Sequence, residues 1–176
     1  MQIIYWGKIT MAEIKTVNRW FWVWDFEKEE DWLNEMAGEG WALVSVGWCR
    51  YTFQRTEPGE YTIRLEMRKD EPEYISFMEE TGAEYIGRVI QWIYFRKKRE
   101  LGEFEIFSDL DSRIDHLSRI GKMIGIICLA NILIGVANSL RGMGFINLLC
   151  GALLAYALGR IQGKKDELER ERKFRE

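Results

Sequence analysis

A hydrolase or transferase needs a nucleophile beside a base, and the 176-residue chain holds one histidine, His116. Cys49, Cys128 and Cys150 are too scattered for a disulfide framework or a metal cage, and two of them lie in apolar runs. The acidic run EKEEDW at 27–32 resembles a cation site only in one dimension, because consecutive helical positions point in different directions. Glu66 with Arg64 flanks no nucleophile. Phosphate-loop, dinucleotide and zinc-protease motifs are missing from the sequence, so it reads as non-catalytic, with no cofactor and no metal. An enzyme would need a deep cleft with carboxylates converging near His116, which is expected to be a surface residue of a helix.

Aromatic chemistry stands out instead. NRWFWVWDF, residues 18–26, alternates Trp20, Trp22 and Trp24 with Phe21 and Val23. Indole faces attract cations, and a nearby carboxylate would add a countercharge. The candidate ligand or partner face comprises Trp20, Trp22, Trp24, Arg64, Glu66, Trp92 and Tyr94, with Glu66 as the countercharge. Three covers fit such a face: a second copy or local segment, a flat or cationic apolar ligand, or the bilayer interface.

These residues must be held by a sheet. Sliding the chain by 42 positions aligns Met36 with Met78, Gly40 with Gly82, Phe53 with Phe95, and Phe21 and Val23 with Ile63 and Leu65. Each copy reads strand, helix, strand, strand, with RWFWVW the first strand, and the helices end at Gly40 and Gly82. Asp25 and the Asp70–Glu73 pair are helix-start signals. The fold class is therefore α+β: an antiparallel sheet with helices on one face, built from repeats at about 18–57 and 60–99. Alternation then turns Phe21, Val23, Phe53, Ile63, Leu65 and Phe95 toward the helices and the candidate face away from them.

A new helix is expected from Ser108, with Asp111 as its box partner, carrying Leu110, Ile114, Leu117 and Gly121 into two uncharged runs at 123–140 and 142–159. Each run is 18 residues long, enough to span hydrocarbon. Arg113, Arg119 and Lys122 precede the first, Arg160, Lys164 and Lys165 follow the second, and Arg141 lies between them. That distribution places both termini in the cytosol of a bacterial inner membrane. Small and polar residues every four positions, with Asn131, Gly135 and Ser139 facing Asn147, Gly151, Ala155 and Gly159, predict the packing seam.

The expected organisation is a cytosolic duplicated domain at 1–106, a connector helix at 107–122, a transmembrane hairpin at 123–160 and a charged tail at 161–176. Met1 and Met11 both serve as candidate starts. Residues 1–118 carry 15 Lys and Arg against 23 Asp and Glu, net −8, while 119–176 carry 10 against 5, net +5. The acidic part argues against direct nucleic-acid binding and against contact with anionic lipid.

WDFEKEEDWLNEMA, EPGEY and EFEIFSD, followed by two apolar spans, resemble the DUF2812 family. The resemblance implies an uncharacterised bacterial membrane protein, often encoded beside a PadR-type regulator, which makes such a regulator a candidate partner. The duplicated plan is also similar in topology to GyrI-like effector-binding domains, in which a ligand sits between two copies. Together these readings give a membrane-tethered sensing or adaptor module. The alternative is an assembly protein whose aromatic face is a constitutive homodimer interface.

Overall fold

The computed structural model describes residues 13–69, 72–107, 109–139, 142 and 144–175. The candidate starts, Asp70, Ser108 and Arg141 lie outside the described residues. The chain is α+β, with two three-stranded antiparallel sheets followed by two long helices. The first sheet orders β1 (Ile14–Asn18), β3 (Arg50–Arg55) and β2 (Trp41–Gly47) as β1-β3-β2. The second orders β4 (Tyr61–Met67), β6 (Trp92–Lys98) and β5 (Ala83–Val89) as β4-β6-β5. Strands β2 and β5 approach along their edges, where Arg96 donates to the Leu43 carbonyl at 2.9 Å and Val46 abuts Gly87. Both carry an irregularity at matching places, between Leu43 and Ser45 and between Tyr85 and Gly87, which breaks the edges as regular ladders.

The 42-residue repeat holds for β2, β3, β5, β6 and the helix ends. Helix α1 (Phe26–Gly38) and helix α2 (Pro72–Glu80) are each followed by a glycine at φ +86°, Gly40 and Gly82, the left-handed stop the sequence predicts. It fails at the first strand. RWFWVW is not extended in a sheet, because the edge of β3 is already taken by Ile14–Asn18, in register from Ile14 opposite Gln54 to Asn18 opposite Arg50. Beyond Asn18 the backbone has no strand partner, and a 3-10 turn at Val23–Asp25 leads into α1. Asp25 occupies the N-cap position without a side-chain capping bond and pairs with Lys28 at 3.0 Å.

Strand register also overturns the expected faces. Leu65 lies opposite Tyr94 and Ile63 opposite Arg96, so those four share one face, while Phe95 shares the other with Arg64, and Ile93 with Glu66. Phe53, Ile63, Leu65 and Phe95 are all fully buried; Phe53 of the first sheet packs on Trp32 of α1, while Ile63 and Leu65 lie on one face of the second sheet and Phe95 on the other. Helix α1 covers the Tyr94 face, and α2 packs Tyr74 and Met78 on the Phe95 face. Phe21 is only half-buried and Val23 is exposed.

Helix α1 also seals the open edge of β4. The Asn34 amide accepts from the Ile63 N–H and donates to the Ile63 carbonyl, both at 2.9 Å, and Glu30 Oε2 accepts from the Leu65 N–H at 3.0 Å. Residues 30 and 34 are one helical turn apart, so a single stripe satisfies a strand edge that would otherwise template pairing.

Helix α3 runs over Leu110–Ser139 and α4 over Phe145–Arg175; both are long and apolar enough to cross a membrane. At about 1.5 Å per residue each is longer than a hydrocarbon layer is thick. Asp109 caps α3 by accepting from the Ser112 N–H at 2.7 Å. The connector is continuous with α3, and the charged tail does not stand alone in solvent. Arg172 meets Asp111 at 2.7 Å and Lys164 meets Glu27 at 2.7 Å, tying α4 to α3 and to α1.

The seam between α3 and α4 includes Gly135 against Leu148 and Gly151 against Ile132. Ala155 and Gly159 are exposed, with open space around Gly159, and Asn131 donates to its own helix at the Ile127 carbonyl. The physical reason is helical drift: a step of four advances about 40° beyond a full turn, so a strict four-residue row leaves the interface within two steps. Alternating steps of three and four keep Gly151, Leu154, Leu158 and Ile161 on the packed side, where Leu158 and Ile161 meet Gly121.

Strain appears at the tip of the β5–β6 turn. Ile90 takes φ +56°, a left-handed conformation that costs a β-branched residue about 1–2 kcal/mol, and its side chain is exposed. Ile90→Asn is expected to raise stability by about 1 kcal/mol, read as a higher midpoint of thermal unfolding in detergent.

Candidate functional site

The indoles of 20–24 are brought together by stacking instead of by a pleat. Trp24 is buried and stacks on Trp22 at 4.8 Å, Trp22 meets Trp20 edge-on at 5.5 Å, and Trp20 meets Trp48 at 6.2 Å. A ladder of four indoles therefore leads from the core to the surface. Beside it, Phe21 packs on Trp32 at 5.5 Å, and the Arg19 guanidinium lies about 5 Å over both rings.

The ladder forms one wall of a cavity of about 300 Å³. The hairpin turns supply Trp48, Cys49, Ile90 and Gln91, β6 supplies Trp92 and Tyr94, and the two long helices close it with Met123, Ile124, Ile127, Leu153 and Leu154. Glu29 of α1 lines this otherwise carbon-rich space. Its Oε1 accepts two tyrosine hydroxyl hydrogens, from Tyr51 and Tyr94, each at 2.7 Å. Burial pushes the Glu29 carboxyl above its ordinary range, and the two hydroxyls oppose that shift by favouring the anion. In turn, desolvation and the adjacent Glu29 raise both tyrosines, which keeps them protonated as donors.

Trp20, Trp22, Trp24, Trp92 and Tyr94 thus meet in one place. Arg64 and Glu66 do not. Their side chains share the opposite face of the second sheet, since they oppose Phe95 and Ile93. Glu66 is 2% exposed; Arg119 of α3 pairs with its Oε1 at 2.5 Å, and the Tyr74 hydroxyl donates to its Oε2 at 2.8 Å. Arg119 also donates to the Met67 carbonyl, so this cluster clamps α3 onto β4. Glu29, and not Glu66, is the carboxylate that lines the space beside the indoles. The signal for it was hidden in EKEEDW, where one acid of several turns inward.

His116 is also a correction: it is 1% exposed, enclosed by the rings of Phe26, Trp92 and Phe107 at 4.9–5.7 Å. Neither ring nitrogen has a hydrogen-bond partner among the described residues, and burial depresses its pKa to about 3. A second cavity of about 300 Å³ adjoins it, lined by Glu27, Glu30, Glu105, Arg64 and Arg113 among others. Carboxylates do converge near His116, yet each has a fixed partner. Glu30 holds Arg64 and the Leu65 N–H, Glu105 holds Arg64 at 2.9 Å, and Glu27 holds Lys164. Among the described residues none of these carboxylates bonds the imidazole.

Glu30 and His116 impose opposite pH slopes. Burial raises Glu30 to about 7 from 4.5, so its stabilising contribution is complete below 4.5 and lost as pH rises through 7. The depressed His116 is stabilising above 6.5 and becomes costly as pH falls toward 3. Glu30→Gln should therefore gain on the parent protein by on the order of 3 kcal/mol between pH 4.5 and 7, and His116→Phe should gain as pH drops below 6.5. Thermal unfolding across pH 4–8 separates the two.

A protein-family model, "Protein of unknown function (DUF2812)", matches residues 25–129. The chain belongs to the DUF2812 family. The matched region begins at Asp25, just after the indole row, and ends within the apolar part of α3, so it leaves Trp20, Trp22, Trp24 and all of α4 outside. No curated protein and no solved structure matches the chain.

Proposed function

We propose that the protein is a membrane-anchored, non-catalytic receptor module whose aromatic cavity takes a hydrophobic cation. The observation that carries this reading is the indole-walled cavity with Glu29 at its lining, its Oε1 held by two tyrosines. Aromatic faces and one desolvated carboxylate select an apolar body bearing positive charge. Because the sheet domain and both long helices contribute walls, a bound molecule bridges them. The Glu66–Arg119 clamp gives that bridge a rigid path to α3. Cationic flanks on the two spans support an inner-membrane location with both termini in the cytosol, where a regulatory protein would read the change.

The test is titration of the full chain in detergent with tetraphenylphosphonium and with neutral triphenylphosphine oxide, followed by tryptophan emission. Saturable binding of the cation is expected, strengthening as pH rises and Glu29 ionises. Glu29→Gln should weaken the cation by about tenfold, about 1.4 kcal/mol, while leaving the oxide unchanged. Trp22→Ala should weaken both. A response that never saturates, or one indifferent to both substitutions, would overturn the proposal; a stable dimer lost on Trp22→Asp would put the assembly reading in its place.

A further inference from the structure

The same end of both sheets carries an exposed apolar tip and an excess of positive charge. Asn18 of β1 pairs with Arg50 of β3, Gly47 of β2 with Arg50, and Met67 of β4 and Val89 of β5 both pair with Trp92 of β6. The chain therefore enters or leaves every strand at this end through 18–22, 47–50, 67–69 and 89–92. Trp20, Trp48 and Ile90 project there, 54%, 66% and 65% exposed. With the neighbouring Arg88, these segments hold Arg19, Arg50, Arg68 and Lys69, against the two acids Asp70 and Glu71 that follow Lys69 in the sequence. The connections at this end therefore carry an excess of positive charge within a part of the chain whose net charge is −8.

The tip is also continuous with the apolar surface of the helices. Trp48 and Ile90 line the same cavity as Ile127 and Leu153. Ile127 lies five residues past Lys122, the last charge before the uncharged run. That is about 7 Å along the helix axis, within the depth at which interfacial side chains settle. A soluble domain gains nothing from an exposed isoleucine in a strained left-handed turn, whereas an inserted tip does. We infer that this tip is seated in the headgroup layer of an anionic leaflet, with Trp20, Trp48 and Ile90 among the acyl chain ends nearest the headgroups and the arginine-rich rim on the lipid phosphates. The domain is docked on the bilayer as well as tethered to it, and the mouth of the aromatic cavity lies at lipid level.

The inference depends on the long helices spanning the bilayer and not on what the cavity binds. It is tested with the full chain carrying Cys49→Ser, Cys128→Ser and Cys150→Ser, a bimane label at Trp48→Cys or, separately, Ile90→Cys, and vesicles of phosphatidylcholine and phosphatidylglycerol containing a lipid with a nitroxide near the headgroup. Glu57→Cys, at the far end of the sheets and read with the same lipid, and Leu133→Cys, mid-way along the exposed face of α3 and read with a lipid whose nitroxide lies near the acyl-chain end, are the references. Quenching at 48 and 90 is expected to exceed that at 57 severalfold and to fall about twofold without phosphatidylglycerol. Equal quenching at 48, 90 and 57 with strong quenching at 133 would overturn the docked tip while leaving the anchor. Absence of quenching at 133 would remove the bilayer and the inference with it. Cation titration in detergent is scored apart from all of these.

Discussion

Arg119→Met should cost the junction between the sheet domain and α3 about 3 kcal/mol, the largest single-residue loss expected outside the apolar core. The guanidinium is the ion-pair partner of Glu66 Oε1 and donates to the Met67 carbonyl; its removal leaves a carboxylate that is 2% exposed with only the Tyr74 hydroxyl and Arg68, at 3.5 Å, to hold it. Breaking one side of a buried pair costs about 3–5 kcal/mol, because the remaining charge cannot regain water. The partial exposure of Arg119 and the remaining partners place this case at the lower end. Replacing both residues, Glu66→Gln with Arg119→Met, should recover more than half of the loss, and a double-mutant cycle by thermal unfolding in detergent measures the coupling. Additive losses from the two single variants would show that the clamp carries no coupling. In the proposed receptor, the same variant should also weaken cation binding, because α3 supplies Met123, Ile124 and Ile127 to the cavity wall.

Gly144→Ala should open the helical hairpin, at a cost of about 3 kcal/mol. A Cβ there would collide with the Gly135 carbonyl oxygen and sit 2.8–2.9 Å from backbone atoms of Ser139, and backbone cannot swing aside as a side-chain end can. Gly159→Ala provides the contrast. Nothing lies within 4 Å of its Cβ position, so the substitution should be neutral or stabilising by up to about 1 kcal/mol through helix propensity. Equal effects at 144 and 159 would show that the close approach at Gly144 does not hold the hairpin. Thermal unfolding of each variant in the same detergent reads the difference.

Local rules and alternation explain which parts of this architecture could be read directly. Gly40 and Gly82 end helices because only a left-handed residue reverses the chain there, a property of one residue and its neighbours. Phe53, Ile63, Leu65 and Phe95 are buried because strand alternation makes them so whichever face they take. The face itself depends on which residue lies opposite, and pairing Leu65 with Tyr94 is a relation between segments 29 positions apart. RWFWVW shows the same limit: its alternation is that of a strand, but Ile14–Asn18 occupies the only available edge of β3. His116 looked like a surface residue since its helix periodicity carries no information about the domain that folds back over it.

The aromatic content, the split of charge along the chain and two apolar runs of spanning length were determined by the sequence alone, because each is a sum over residues or a short-range pattern. Tertiary structure decided that Glu29 and not Glu66 faces the indoles, that the helices wall the same cavity, and that Trp20, Trp48 and Ile90 are exposed beside one another at one end of the sheets. The reason is geometric: side-chain direction depends on strand register and on which edge each element fills, and neither is encoded within any one segment.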